Sequence, residues 1–93
     1  SLQDDIYYSK AKIFTKQRDY TKAAELYEAV VSEFPESIRV DNSLFALAEL
    51  YEIHLGDKEK ARNLYEQIIF DYTDSTFVVE ARKRFRVLNG DFR

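Results

Sequence analysis

DYTKAAELYEAVVSEFPES, Asp19–Ser37, returns 38 residues later as DKEKARNLYEQIIFDYTDS, Asp57–Ser75. Seven of the 19 positions are identical: Asp19/Asp57, Lys22/Lys60, Ala23/Ala61, Leu26/Leu64, Tyr27/Tyr65, Glu28/Glu66 and Ser37/Ser75. Most others exchange like for like, as in Val30/Ile68, Val31/Ile69, Glu33/Asp71 and Phe34/Tyr72. A fixed period of roughly 20–50 residues marks a repeat architecture, so what one copy is decides the fold. Each copy reads as a helix. Ala23, Leu26, Tyr27, Val30 and Phe34 recur at spacings of three and four, the apolar stripe of a 3.6-residue period, and Ala61, Leu64, Tyr65, Ile68 and Tyr72 repeat it. Asp19 and Asp57 stand where an N-cap carboxylate accepts the free N–H groups of a first turn. Pro35 and Thr73 mark the ends, since a proline does not continue a helix and disfavours the α region for the residue before it.

Working outward, a partner helix precedes each copy: Ala11 and Phe14 match Ala48 and Tyr51 at an offset of 37. The one-residue difference reads as an insertion in the turn His54-Leu55-Gly56, longer by one than Lys16-Gln17-Arg18. Ser37 is expected to cap a helix over about Ile38–His54, and Ser75 to open a last helix that Gly90 stops. The layout expected is all-α: a first helix over about Asp4–Lys16, then Tyr20–Phe34, Ile38–His54, Lys58–Tyr72 and Thr76–Leu88. Short connections make neighbours antiparallel. Small Ala11, Ala23, Ala48 and Ala61 fall where paired helices approach, with Phe14, Tyr27, Tyr51 and Tyr65 around them, and such an array buries its core by stacking.

Composition agrees. Ninety-three residues with 45% apolar and 33% charged side chains suit one domain of amphipathic helices, and one proline with two glycines leave few breaks for a many-stranded sheet. A formal net charge of −3 makes neither a nucleic-acid backbone nor an anionic membrane surface an obvious partner. No cysteine is present, so a disulfide framework and a thiolate metal site are both excluded; this suits cytoplasm and periplasm alike. No apolar run reaches the ~18 residues of a membrane span, and the amino end lacks the basic-then-apolar pattern of a signal peptide. Direct membrane insertion is not expected. The opening Ser1-Leu2, without methionine, reads as the start of a piece of a longer protein.

These residues resemble the tetratricopeptide repeat, whose pattern is a small residue and an aromatic late in the first helix, an Asp-aromatic step into the second, then alanine, aromatic and proline. Repeat one, about 4–37, carries Ala11, Phe14, Asp19-Tyr20, Ala23, Tyr27 and Pro35. Repeat two, about 38–75, carries Leu47-Ala48, Tyr51, Gly56-Asp57, Ala61 and Tyr65, with Lys58 replacing the aromatic and Thr73 the proline. The resemblance implies antiparallel hairpins in a right-handed superhelix: two repeats and a capping helix, about 76–89, within a single domain 1–93. Phe34-Pro35-Glu36-Ser37, the long following helix and the 38-residue period are similar to the repeats of bacterial outer-membrane-assembly lipoproteins and of the Tol–Pal coordinator. The family's carboxylate clamp for chaperone tails needs lysine and asparagine on the inner face of the first helix. Those positions hold Tyr8 and Lys12, and the later ones Ala46, Glu80 and Arg84, so that activity does not carry over.

The resemblance implies a concave face formed by the first helix of each hairpin, which makes Asp5, Tyr8, Lys12, Asn42, Phe45, Glu49, Glu52, Glu80 and Lys83 the candidate groove residues. Tyr8 and Phe45 are aromatic at equivalent positions, and aromatics supply large contact area on binding surfaces. The alternative is that both pack inward. Arg82, Lys83, Arg84 and Arg86 make the last helix basic; this reads first as cations meeting a helix C-terminus on a solvated face, and second as a site for phosphate or an acidic peptide. His54 is expected in a turn. Asp4-Asp5 reads as acids at a helix start rather than as a catalytic pair. No nucleophile motif, phosphate loop or metal-ligand spacing is found, so neither an enzyme nor a cofactor is expected. Two functions remain: a module binding a peptide or helix of another protein in the groove, or a structural cap that stacks on further hairpins or self-associates through Ile6, Tyr7 and Ile13.

Overall fold

The computed structural model describes residues 1–90 and is all-helical over them. Five α-helices follow in order: α1 Leu2–Lys16, α2 Tyr20–Glu33, α3 Val40–Glu49, α4 Lys58–Asp71 and α5 Val78–Leu88. Between α3 and α4, Leu50–His54 continues α3 as a π turn. Each helix packs on the next, α1 on α2, α2 on α3, α3 on α4 and α4 on α5, giving two hairpins and a fifth helix.

The caps explain the boundaries. Asp19 accepts the Lys22 N–H at 3.3 Å and Asp57 the Lys60 N–H at 3.1 Å, satisfying donors that the first turns of α2 and α4 leave free. Each hairpin's inner turn needs a left-handed residue: Arg18 has φ +62° and its counterpart Gly56 φ +68°. Glycine takes that conformation without a Cβ clash, so repeat two holds the less strained version.

Two boundaries differ from expectation. The third and fifth helices begin at Val40 and Val78, two residues late. The Ser37 and Ser75 hydroxyls accept the N–H groups of Arg39 and Phe77, and their carbonyls accept those of Val40 and Val78. Residues 38–39 and 76–77 are thus an ordered turn ahead of the helix. The inserted residue is also not accommodated in the turn. Asp19 N–H donates to the Phe14 carbonyl, and its counterpart Asp57 N–H donates to that of Tyr51, the equivalent residue, with one more residue between. A π turn takes up the extra residue, marked by Leu55 N–H donating to Leu50 O at 2.8 Å.

Burial falls where the repeat places it. Ala11, Ala23, Ala48, Ala61, Tyr65, Val30 and Ile68 have no exposed surface. One cluster joins Ala11, Ala23, Ala24 and Tyr27 to Leu47 and Leu50; the other joins Val40, Leu44 and Ala48 to Ala61, Tyr65, Ile68 and Ala81. Helix α3 belongs to both and holds the hairpins together.

Ser43 is fully buried on α3, and its hydroxyl has no hydrogen-bond partner. Removing an unsatisfied buried hydroxyl recovers its desolvation cost, so Ser43→Ala is expected to stabilise the fold by about 1 kcal/mol, whereas Leu44→Ala beside it should cost about 2–5 kcal/mol. Urea unfolding followed by circular dichroism checks both signs.

Candidate functional site

Two aromatic pairs organise the face carried by α1 and α3. Tyr8 meets Tyr27 edge to face at 5.9 Å and 64°, and Phe45 meets Tyr65 at 5.7 Å and 65°. The same first-helix aromatic rests on the same second-helix tyrosine in both hairpins. Each is also covered by the residue leading into the next hairpin's first helix: the Arg39 guanidinium lies 5.1 Å from the Tyr8 ring, and Phe77 stacks on Phe45 at 4.7 Å. Tyr8 and Phe45 are therefore half-buried, with one side packed on the core and part left to solvent.

Polar groups collect around them. The Lys12 ammonium sits 5.5 Å from the Tyr8 ring, and Arg39 Nε donates to Asp5 at 3.1 Å, so Asp5, Tyr8 and Lys12 form one neighbourhood rich in cations. Further along, Glu49 lines a pocket of about 240 Å³ with Thr15 of α1, Tyr27 of α2, and Ala46, Leu50, Ile53 and His54. Its carboxyl, exposed at the rim but partly desolvated by the cleft, is pushed up from the ordinary value by that desolvation and then by the charge of Glu80, with Arg84 opposing. Glu80 and Lys83 are exposed on α5, and Asn42 is half-buried on α3. Ile53, 63% exposed, supplies an apolar wall beside Glu49.

Glu52 differs from expectation. The π turn carries its side chain inward, where it accepts from the Tyr65 hydroxyl at 2.8 Å and from Arg84, through Nε at 3.2 Å and through Nη2. Only 8% of that side chain is exposed. Glu52 ties the π turn to α4 and α5 rather than facing a ligand, and removing Arg84 would leave a nearly buried carboxylate without its cation, a cost on the order of 1–3 kcal/mol. His54 lies within the π turn, not in the loop after it, and its ring stacks on Tyr20 at 3.8 Å and 7°.

A second repeated device escaped the reading of the sequence. Asp41, near the start of α3, accepts from the Ser75 hydroxyl at 2.6 Å. Asp4, at the equivalent place in α1, is buried, and the Ser37 hydroxyl holds its carboxyl below the ordinary value. Each hairpin thus grips the serine that opens the next. The signal was available, because Asp4 and Asp41 are separated by the same 37 residues as Ala11 and Ala48.

The family model described as tetratricopeptide repeat matches residues 5–37 and again 42–75, most of the chain. No curated protein matches it, and no solved structure does.

The Ser37 hydrogen bond is the largest influence holding the Asp4 carboxyl below its ordinary value of 3.8; burial opposes it, and the amino terminus adds to it. A depressed native pKa contributes stability that is present above the unfolded-state value and lost as pH falls through the native one. Ser37→Ala should therefore move the Asp4 titration upward and reduce the loss of stability on acidification below about pH 4. NMR titration of the Asp4 carboxyl carbon and melting curves between pH 2 and 5 read the two effects separately.

Proposed function

The chain belongs to the tetratricopeptide-repeat family, and from this we propose that it is a protein-binding module holding a peptide or helix of another protein along the face shared by α1 and α3. Repeats of this family generally mediate protein–protein interaction and act as scaffolds without catalysis. The observation that supports this placement best is the cleft itself. α1 and α3 both pack on α2, and the space between them opens onto Tyr27, with Thr15 on one wall and Glu49 on the other.

That cleft suits an extended segment. Half-exposed aromatics at Tyr8 and Phe45 offer contact area that costs little conformational entropy on binding, because both rings are already held by tyrosines beneath them. Lys12 at one end and Glu49 and Glu80 at the other give the surface an electrostatic direction, which sets the orientation of a bound chain more than its affinity. Asp5 on α1 and Asn42 on α3 stand along the same margin, and Lys83 continues it on α5. Glu52 acts from behind, holding α5 in place through Arg84.

We read the module as one domain of two repeats and a closing helix. The 38-residue period and the phrase Phe34-Pro35-Glu36-Ser37 support a place beside the repeats of bacterial outer-membrane-assembly lipoproteins and of the Tol–Pal coordinator. No described helix is long and apolar enough to cross a membrane.

The test avoids Tyr8 and Phe45, whose truncation would also loosen the core. Lys12 and Glu49 are exposed, so Lys12→Glu with Glu49→Lys should leave the melting temperature within about 2 °C of wild type. A peptide selected on the wild-type chain from a displayed random library should bind the double variant at least tenfold more weakly by calorimetry. Unchanged affinity would move the binding face elsewhere.

A further inference from the structure

The basic stretch of α5 does not act as one unit. Arg84 is engaged by Glu52, whereas Arg82 and Arg86, one turn apart, are exposed. With Asn89 they rim a notch of about 280 Å³ whose floor is Ile69 and Phe70 of α4 and Phe85 of α5. In the preceding repeat Leu44 and Ala48 stand where the two arginines do, and both are buried against Ala61, Tyr65 and Ile68. Exposed Ser32 stands where Phe70 does. Wetting of α5 accounts for the arginines. It does not account for Phe70, which is 69% exposed and leaves most of its ring in water.

The side chains on the rim share one chemical character. Guanidinium groups only donate hydrogen bonds. Asn89 Oδ1 accepts from Arg62 Nη1 at 3.3 Å, which engages the acceptor of that amide and leaves its N–H groups to donate. Among the described residues, neither Arg82 nor Arg86 makes an ion pair. Glu66, one turn before Phe70 on α4, is exposed and stays off the lining. An apolar floor under a rim of donors suits a ligand with an apolar body and an end that only accepts. We propose that the α4/α5 notch binds a small free carboxylic acid with an aromatic or branched apolar body, the body against Phe70 and Phe85 and the carboxylate held by Arg82 and Arg86.

Other anions fit less well. A dianionic phosphate costs more to strip of water than a carboxylate, exposed guanidiniums return little of that cost, and Glu66 opposes each added negative charge. A phosphorylated tyrosine carries its charge at the tip of the ring and leads with it onto the apolar floor. The last residue of a peptide brings an amide N–H beside its carboxylate, and that donor meets only donors on the rim. The volume lies just below the ~300–1,000 Å³ of pockets for drug-sized ligands, which limits the body to about one ring and a short arm.

The test titrates hydrocinnamate into the isotope-labelled chain and follows the amide signals by NMR. Shifts should centre on Phe70, Arg82, Phe85 and Arg86 and saturate with a Kd on the order of 1 mM, as befits so small a ligand. Arg82→Gln and Arg86→Gln should each weaken binding about threefold, and Phe70→Ala by a similar factor. All three residues are exposed, so the melting temperature should stay within about 2 °C of wild type. Glu66→Gln should tighten binding by about twofold, and phenylpropanol, of the same shape without the charge, should bind about fivefold more weakly. Lys12→Glu with Glu49→Lys should leave the titration unchanged, which separates this site from the face of α1 and α3. Absence of saturable shifts, shifts centred instead on Ile13 and Leu26 of the other apolar cleft, equal binding of the alcohol, or unchanged affinity in the Arg82→Gln/Arg86→Gln double variant would overturn the proposal. Tighter binding of N-acetylphenylalanine would assign the notch to a peptide terminus, and tighter binding of phenyl phosphate to a phosphate ester; either overturns it as well.

Discussion

Contact between helices at alanine sets the geometry on which everything else rests. Ala11 and Ala23, then Ala48 and Ala61, are fully buried, and a methyl group is the largest side chain that keeps two backbones this close without forcing neighbours off their rotamers. A larger residue at any of the four would push its hairpin apart at a cost of about 1–3 kcal/mol. Glycine would lose helix propensity of about 1 kcal/mol and the contact itself. Once the backbones are fixed, tyrosine is the side chain that fills the wedge beside them. Tyr65 is wholly buried with its hydroxyl reaching Glu52, and Tyr27 nearly so. The near-identical ring geometry of Tyr8 on Tyr27 and of Phe45 on Tyr65 follows from that fixed separation rather than from any attraction peculiar to each pair.

The π turn shows how one extra residue becomes a useful constraint. Inserted into a loop it would have lengthened the loop; within the helix it rotates everything after Leu50 by a fraction of a turn. Glu52 swings toward Tyr65 and Arg84, His54 reaches Tyr20, and Ile53 is left facing the cleft. The side chains after Leu50 thus tie the second repeat both backward to α2 and forward to α5. Burial pushes the Tyr65 hydroxyl up from its ordinary value, with Glu49 and Glu80 adding to the shift, so it remains a donor to Glu52 throughout the physiological range.

The order of helices, their pairing and the alanine core were legible because each is written twice in the sequence, at offsets of 37 and 38. What was not legible lies where the two copies diverge or where one residue has two outlets. The insertion near His54 is visible as a length difference, but turn and helix can each absorb a residue, and hydrogen-bond partners alone separate them. Glu52 looked like a groove residue because its place on an ideal helix faces the groove, and the π turn moves it off that face. Ser37 was identified as a cap, and its hydroxyl does accept an N–H group, yet from Arg39 in a turn two residues ahead of the helix. Asp4 was read as an acid answering a helix dipole. Burial and the Ser37 hydroxyl show a contact between repeats, which a reading confined to one helix does not find.

The repeating devices also give the molecule a direction. The aromatic row that runs Tyr8, Phe45 reaches Lys83 at the third position, and the aspartate that grips the next serine, Asp4 and then Asp41, becomes Val79. Leu44 and Ala48, which receive α4, become Arg82 and Arg86. Three contact types thus lapse together on α5, among the described residues, while on α1 all three are made within the chain, by Tyr8 on Tyr27, Asp4 beside Ser37 and Ala11 against Ala23. A surface that has given up its apolar stripe, its aromatic and its acid is suited to water. The cleft between α1 and α3 runs from the Tyr8 end, where Lys12 and Arg39 gather positive charge, toward the carboxylates of Glu49 and Glu80.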